Sequence, residues 1–494
     1  MDNFAGWADL LSAKEEVIRM EDNLSAMRPV DKYILFREKY PVFFYRSFDI
    51  EDTQEKILLT FHFSVPGLSD FAPQWTLPKP KKPVCDIHSG SFRRLVFSLG
   101  LVELISYWKI ACPPKVMIEC GKIGDEQVLW WKQQYLLGLG EFFYRNEIPV
   151  SFDDFMEIES RGEDFTHPCT HEQLPLHGCL IPVGGGKDSI VTLTLLSDMR
   201  KDSFCYVMNS RGATDASALT AGYRPDQILG IRRTLDQNML DLNRQGYLNG
   251  HTPFSALVAF SGVMMAMLYG KEYVVLSNES SANESTVQGL SVNHQYSKSF
   301  QFEEDFDRYI REYIGCAVRY FSLLRPWSEF QIAAYFSGLK QFHPVFRSCN
   351  AGSKTNSWCG KCAKCLFVAL ILTPFLDDSA ITEIFGREIL EDESLIPILR
   401  ELCGETPEKP FECVGSREEI SAAMVLGIER RKKLGQPLPA LLGYFMTTDI
   451  FAAACQNPTR YFQYYQQENL LPDLFDRRMR QETEALRQKF ARDF

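Results

Sequence analysis

A chain of 494 residues exceeds one ordinary domain and has ample material for a core, while 45% hydrophobic and 24% charged residues exclude disorder and a fibrous repeat. The net charge of -11 and pI of about 5.4 repel polyanions, which argues against a nucleic-acid partner and leaves room for a small anionic substrate. The opening "MDNFAGWADLLSAKEEV" carries acids and lacks the basic start and apolar core of a secretion signal, so a cytoplasmic protein is expected. Its fourteen cysteines then read as thiols, metal ligands or catalytic groups rather than disulfides.

Residues 1–170 mix strand-like runs ("FFYRSFDI", "KILLTFHFSV") with Pro-rich turns ("QWTLPKPKKPVCD") and an aromatic helical stretch ("QVLWWKQQYLLGLGEFFYRN"). They predict an α+β domain in which the aromatics are core and carry no chemistry. The acidic "SFDDFMEIESRGEDFTHPCTHEQ" reads as a solvated linker. Over residues 171–380 the pattern becomes strand, loop, helix, repeated. "CLIPV" enters a glycine loop and a helix; "SFCYVM" enters "NSRGATD" and a helix around "ILGIRRTLDQNMLDLNRQG"; "EYVVL" enters "SNESSANES". This alternation predicts an α/β fold with a parallel, doubly wound sheet, and the polar segments after the strands then meet in one crevice. The uncharged "PFSALVAFSGVMMAMLYG" falls short of a membrane span and is expected as a helix buried against that sheet, with no membrane partner. Residues 381–494 read as a helical, charged region closing in a solvated amphipathic helix, "DLFDRRMRQETEALRQKFARDF".

Chemistry concentrates at three places. In "IPVGGGKDSIVTLTLL" the glycines Gly184, Gly185 and Gly186 let the backbone turn so that its amides, with Lys187, Asp188 and Ser189, cradle an anion at a helix start. An ordinary turn capped by Asp188 is the plain alternative. "CNAGSKTNSWCGKCAKC" supplies Cys349, Cys359, Cys362 and Cys365, a set suited to structural Zn²⁺, with an iron–sulfur cluster or unbound thiols as alternatives. "LSNESSANES" and "VNHQYSKSFQFE" crowd Asn278, Glu279, His294, Tyr296 and Lys298 near the third strand end, as a pocket or as an exposed loop.

The glycine loop resembles the SGGxDS loop of the PP-loop ATP pyrophosphatases, which belong to the HUP-like, adenine nucleotide alpha hydrolase-like α/β proteins, with Gly184 in place of the first Ser. The resemblance implies that the loop amides, Lys187 and Ser189 hold pyrophosphate, that Asp188 sits near Mg²⁺ or caps the helix, that adenine lies near Met208 to Arg211, and that Asn278 and Glu279 attend the nucleotide. Together with "WCGKCAKCLF", "KPFECVGS", "LVELISYWKIACPP" and the aromatic helix, the chain closely resembles the MurL-type UDP-N-acetylmuramoyl-L-alanyl-L-glutamate epimerases. That family uses ATP and Mg²⁺ to invert the terminal L-Glu of UDP-MurNAc-L-Ala-L-Glu through an adenylated α-carboxylate, releasing AMP and pyrophosphate. Proton transfer at Cα then falls to His294, Tyr296, Lys298 and Cys413, with Glu412 behind them. Other expectations of the loop are a 7-cyano-7-deazaguanine synthase-like ligase, a tRNA sulfur transferase and a non-catalytic ATP-binding module.

Overall fold

The two β-rich runs near the start form β1 (Val42–Asp52) and β2 (Lys56–Val65), an antiparallel hairpin with a bulge between Tyr45 and Ser47. β3 (Ser69–Phe71) and β4 (Gln74–Pro78) pair antiparallel with β2, and β5 (Lys115–Ile118) and β6 (Glu157–Ser160) extend parallel from β1. The computed structural model describes residues 24–167, 173–288 and 292–494. The N-terminal stretch read for a secretion signal, and residues 168–172 of the acidic stretch, lie outside them.

The second half supplies β7 (Cys179–Pro182), β8 (Phe204–Met208), β9 (Ile228–Thr234), β10 (Tyr273–Leu276) and β11 (Arg319–Ser322), all parallel in the order β11-β10-β7-β8-β9. This is a doubly wound arrangement whose order reverses between β7 and β10, where such sheets bind ligands. β4 pairs antiparallel with β9, so one eleven-stranded sheet runs through both halves.

Three local expectations change. The helix expected around residues 228–246 begins as β9, because "ILGIRRT" alternates buried and exposed residues with period two; only Gln237–Arg244 is helical. The Pro-rich turn holds β4, with Pro78 at the strand's end, where its missing N–H costs little. The acidic linker contains β6, with Ile158 buried on it.

Helices flank the sheet and position the site. α1 (Gly90–Trp108), α2 (Asp125–Gly138) and α3 (Gly140–Arg145) belong to the first half, and Leu139 separates α2 from α3 within the aromatic stretch. α4 (Lys187–Leu195), α5 (Gly212–Thr220) and α6 (Phe254–Tyr269) follow β7, β8 and β9. α6, the uncharged helix, is buried against α1 and β7, and Gly270 ends it in the left-handed conformation at φ 64°. No helix among the described residues is long and apolar enough to cross a membrane. α7 (Glu329–Ser337), α8 (Ala363–Leu372), α9 (Arg417–Leu434) and α10 (Asp473–Asp493) build the C-terminal side. α10 is amphipathic, as expected, and docked: Phe475, Met479, Leu486 and Phe490 are buried, and Arg478 donates to Leu195 O at 2.7 Å and pairs with Asp198.

The sheet separates two apolar cores. One joins α1 and α6 to the first half; the other joins α4 to α7, α8, α9 and α10. The thirteen described cysteines are all free thiols.

Candidate active site

β7 ends in the glycine loop, and the loop's shape follows from its residues. Gly185 sits at φ +81°, and a Cβ there would come within 2.9 Å of the Ala213 backbone, so only glycine lets the loop lie against the start of α5. Gly186 is the N-cap of α4, leaving first-turn N–H groups without helical partners. Beyond the ends of β7, β8 and β10 lies a cleft of about 370 Å³ lined by Gly184, Gly186, Asp188, Ser189, Met208, Arg211, Asn278, Glu279, Lys298, Arg347, Lys364 and Cys413. Tyr206, Phe254, Val258 and Leu276 give it one apolar wall.

Loop residues take different positions. Lys187 is buried, and its ammonium pairs with Asp188 and with Glu329 at the start of α7. Burial opposes that charge, yet the two carboxylates raise its pKa overall. For Asp188, burial acts upward but Lys187 and Lys364 hold the carboxyl below its usual range; Glu329 is pushed upward, chiefly by burial. Ser189 Oγ donates to Gly186 O at 3.0 Å, and Asn278 Nδ2 donates to Ser322 Oγ at 3.0 Å. Asp188, Glu279 and Glu329 present carboxylate oxygens within 4.8 Å of one another, a set able to attract a divalent cation.

A buried arginine gathers the third strand end. Arg325 donates to Glu279 O at 2.7 Å and to Lys298 O at 2.6 Å, and pairs with Glu303 at 2.9 Å. It thereby fixes both loops at the cleft.

Cys413, half-buried, lies 3.0 Å from Lys298 Nζ, and the His294 imidazole acts on the same thiol. His294 Nδ1 donates to Glu141 Oε2 at 2.6 Å; His251 Nδ1 lies 3.2 Å from the same oxygen. The chain Cys413–His294–Glu141 thus joins the C-terminal side, the loop after β10 and α3. Burial pushes the Cys413 thiol up, but Lys298, His294 and Lys364 draw it down further, to about 6. For His294, burial lowers the pKa while Cys413 and Glu141 raise it, leaving it at about 9; burial takes His251 down to about 4. Lys298 is raised, its burial outweighed by Cys413 and Glu279.

Tyr296 does not join this group. It is buried beside Phe302, with ring centroids 6.0 Å apart, in a small apolar cavity with Trp130 and Trp131. Glu412 serves a neighbouring purpose, accepting from the Lys364 backbone N–H at 2.8 Å while the Lys364 side chain bonds Cys413 O. This couples the Cys413 loop to α8, which starts inside the cysteine cluster.

Within that cluster the sulfurs of Cys349 and Cys362 are 3.9 Å apart, Cys359 and Cys365 3.7 Å, and Cys362 and Cys365 3.5 Å. A tetrahedron with zinc–sulfur bonds of about 2.3 Å has edges of about 3.8 Å. Gly352 N–H and Cys359 N–H donate to Cys349 Sγ, as suits a thiolate.

Sequence reasoning missed Glu141, His251, Glu329 and Arg347. Glu141 had a signal, as an acid within an apolar aromatic stretch; the others had none.

Fold and cleft together are those of an α/β enzyme, and comparison narrows the class. The chain matches the MurL N-terminal domain over residues 36–323 and the MurL C-terminal domain over residues 345–443. It is 34% identical over 396 residues to the UDP-N-acetyl-alpha-D-muramoyl-L-alanyl-L-glutamate epimerase of Micromonospora sp., covering 78% of this chain and 87% of that protein. The protein of the same name from Salinispora tropica is 34% identical over 394 residues, with 78% and 84% covered. That of Xanthomonas oryzae pv. oryzae is 35% identical over 336 residues, with 66% and 73% covered. No solved structure gives a significant match. The protein is an isomerase, an epimerase by reaction class. It belongs to the MurL epimerase family.

Proposed function

We propose that the protein inverts the terminal L-Glu of UDP-MurNAc-L-Ala-L-Glu to D-Glu in cytoplasmic peptidoglycan precursor synthesis, using ATP to adenylate the α-carboxylate and releasing AMP and pyrophosphate. The relatives' printed names supply the substrate. One observation carries the chemistry: a single cleft holds a glycine loop at a helix start together with a thiol and a cation 3.0 Å apart.

The two halves need each other. Beside a free carboxylate, a carbanion at Cα would stand next to a negative charge, so the proton is hard to remove. Adenylation cancels that charge and makes the carbonyl an electron sink. Cys413, as thiolate, then takes the Cα proton, and His294, held protonated by Glu141, stabilises that thiolate; inversion follows when a proton returns to the opposite face of the planar carbanion. Lys298 holds the thiolate in place. On this reading adenine would lie against the apolar lining near Met208 and the phosphates at the loop amides. Asp188 and Glu279 would hold Mg²⁺, which neutralises phosphate charge when bound. Zn²⁺ would be held by Cys349, Cys359, Cys362 and Cys365; four thiolates leave no open position, so its contribution is structural.

Asp188→Ala is the test. Pyrophosphate release with ATP and the dipeptide nucleotide should fall by about a hundredfold or more, the size of losing one strong electrostatic contact, with the variant's fold checked by its melting curve because Lys187 keeps only Glu329 as partner. Undiminished release from the folded variant would refute the assignment.

A further inference from the structure

The resemblance of the loop implies Lys187 on phosphate, but its ammonium lies buried between Asp188 and Glu329. Two other cations on the cleft are committed elsewhere: Lys298 to the Cys413 sulfur and Lys364 to the Cys413 carbonyl. Arg211 and Arg347 remain. They line a side chamber of about 110 Å³ beside Gly184, bounded by the first turn of α5 and by the loop between Cys349 and Cys359. Cys413, Lys298 and Lys364 do not line it.

The chamber is built for an anion. Arg347 N donates to Gly185 O at 2.8 Å, which ties this arginine's backbone to the glycine loop. Its Nη1 donates to Phe346 O at 2.6 Å, while its Nε is buried with no hydrogen-bond partner among the described residues. Arg211 is exposed at the N-cap of α5, where the helix start adds partial positive charge. Size limits the occupant, since pockets for drug-sized ligands measure about 300–1,000 Å³. At about 110 Å³ the chamber is well below that range and suits a small anion rather than a whole nucleotide.

We propose that Arg211 and Arg347 hold a diphosphate in this chamber, through the forked geometry in which guanidinium groups bind phosphate oxygens. The inference rests on the epimerase reading for its two sources: the β- and γ-phosphates of ATP, or the diphosphate that joins uridine to the sugar of the substrate. Either way the loop that forms one wall is anchored by Cys349 and Cys359, so the cysteine cluster shapes the anion site as well as the Cys413 loop.

The experiment titrates the full-length protein with inorganic pyrophosphate and, separately, with UDP, for the native chain and for Arg211→Ala, Arg347→Ala and Arg347→Lys. The alanine variants should weaken one titration by about tenfold or more, as expected for losing charge-assisted hydrogen bonds, with partial recovery in Arg347→Lys. Weakening of pyrophosphate with UDP unchanged identifies ATP as the source; weakening of UDP, with or without pyrophosphate, identifies the substrate. Arg347→Lys, with its melting curve, separates lost binding from lost folding. Affinities unchanged within about twofold, or a native chain that binds neither probe, would overturn the chamber. ATP consumption by the native chain with the dipeptide nucleotide is measured in parallel. Consumption alongside unchanged affinities refutes the chamber alone, whereas no consumption refutes the ATP reading and leaves the UDP titration to decide the chamber.

Discussion

Cys413 is acidic because two basic side chains reach it from the loop after β10, and His294 is basic because Glu141 reaches it from α3. The thiol loses its proton above about 6 and the imidazolium keeps its own below about 9, so the charged pair exists between these limits. A bell-shaped pH profile of kcat/KM follows, rising through about 6 and falling through about 9, the two limbs belonging to the pair as a unit. Cys413→Ser should lower kcat/KM by about 10²–10⁴-fold, the usual worth of a positioned acid or base, and remove the acidic limb. A profile flat across this range would show that the pair takes no part. Cys413, His294 and Lys298 were legible as reactive residue types in polar surroundings. Their partner Glu141 was marked only as an acid in an aromatic stretch; its pairing was not legible, because it stands 153 residues from His294. Tyr296 shares the polar motif yet faces inward, since two residues along a tight turn separate the cleft from the apolar cavity.

Among the elements, β9 decides whether the two halves form one sheet. Its Arg233 makes a bidentate pair with the buried Glu103 of α1, at 2.7 and 2.8 Å, and Trp75 of β4 donates to the same carboxylate at 3.0 Å. Glu103→Ala leaves the guanidinium buried and unpaired, which should destabilise the protein by about 3–5 kcal/mol in denaturant unfolding. A loss under about 1 kcal/mol would mean that the strand pairing alone holds the junction. Neither β4 nor β9 was legible. Proline at the end of one and arginines along the other obscure short strands whose pairing is set by partners distant in sequence. By contrast β1, β2, β7, β8, β10 and the buried α6 were legible, because each concentrates apolar or β-branched residues between clear turn signals.

Across the whole molecule, the parallel strands bring the glycine loop, the β8 end and the β10 end to one crevice, and the C-terminal side closes it with Cys413 and Lys364. This convergence was readable from strand–loop–helix alternation, while the contribution of α3 from the first half was not. On the proposed mechanism, carboxylate activation and Cα proton exchange are coupled in this crevice. The most direct measurement of this coupling incubates the full-length protein with UDP-MurNAc-L-Ala-L-Glu in heavy water, with and without ATP and Mg²⁺, and follows deuterium at the glutamate Cα. Coupling requires deuterium and D-configured glutamate only when ATP is present, with pyrophosphate formed alongside. Deuterium entering at the same rate without ATP, or ATP consumed with Cα unlabelled, would contradict it.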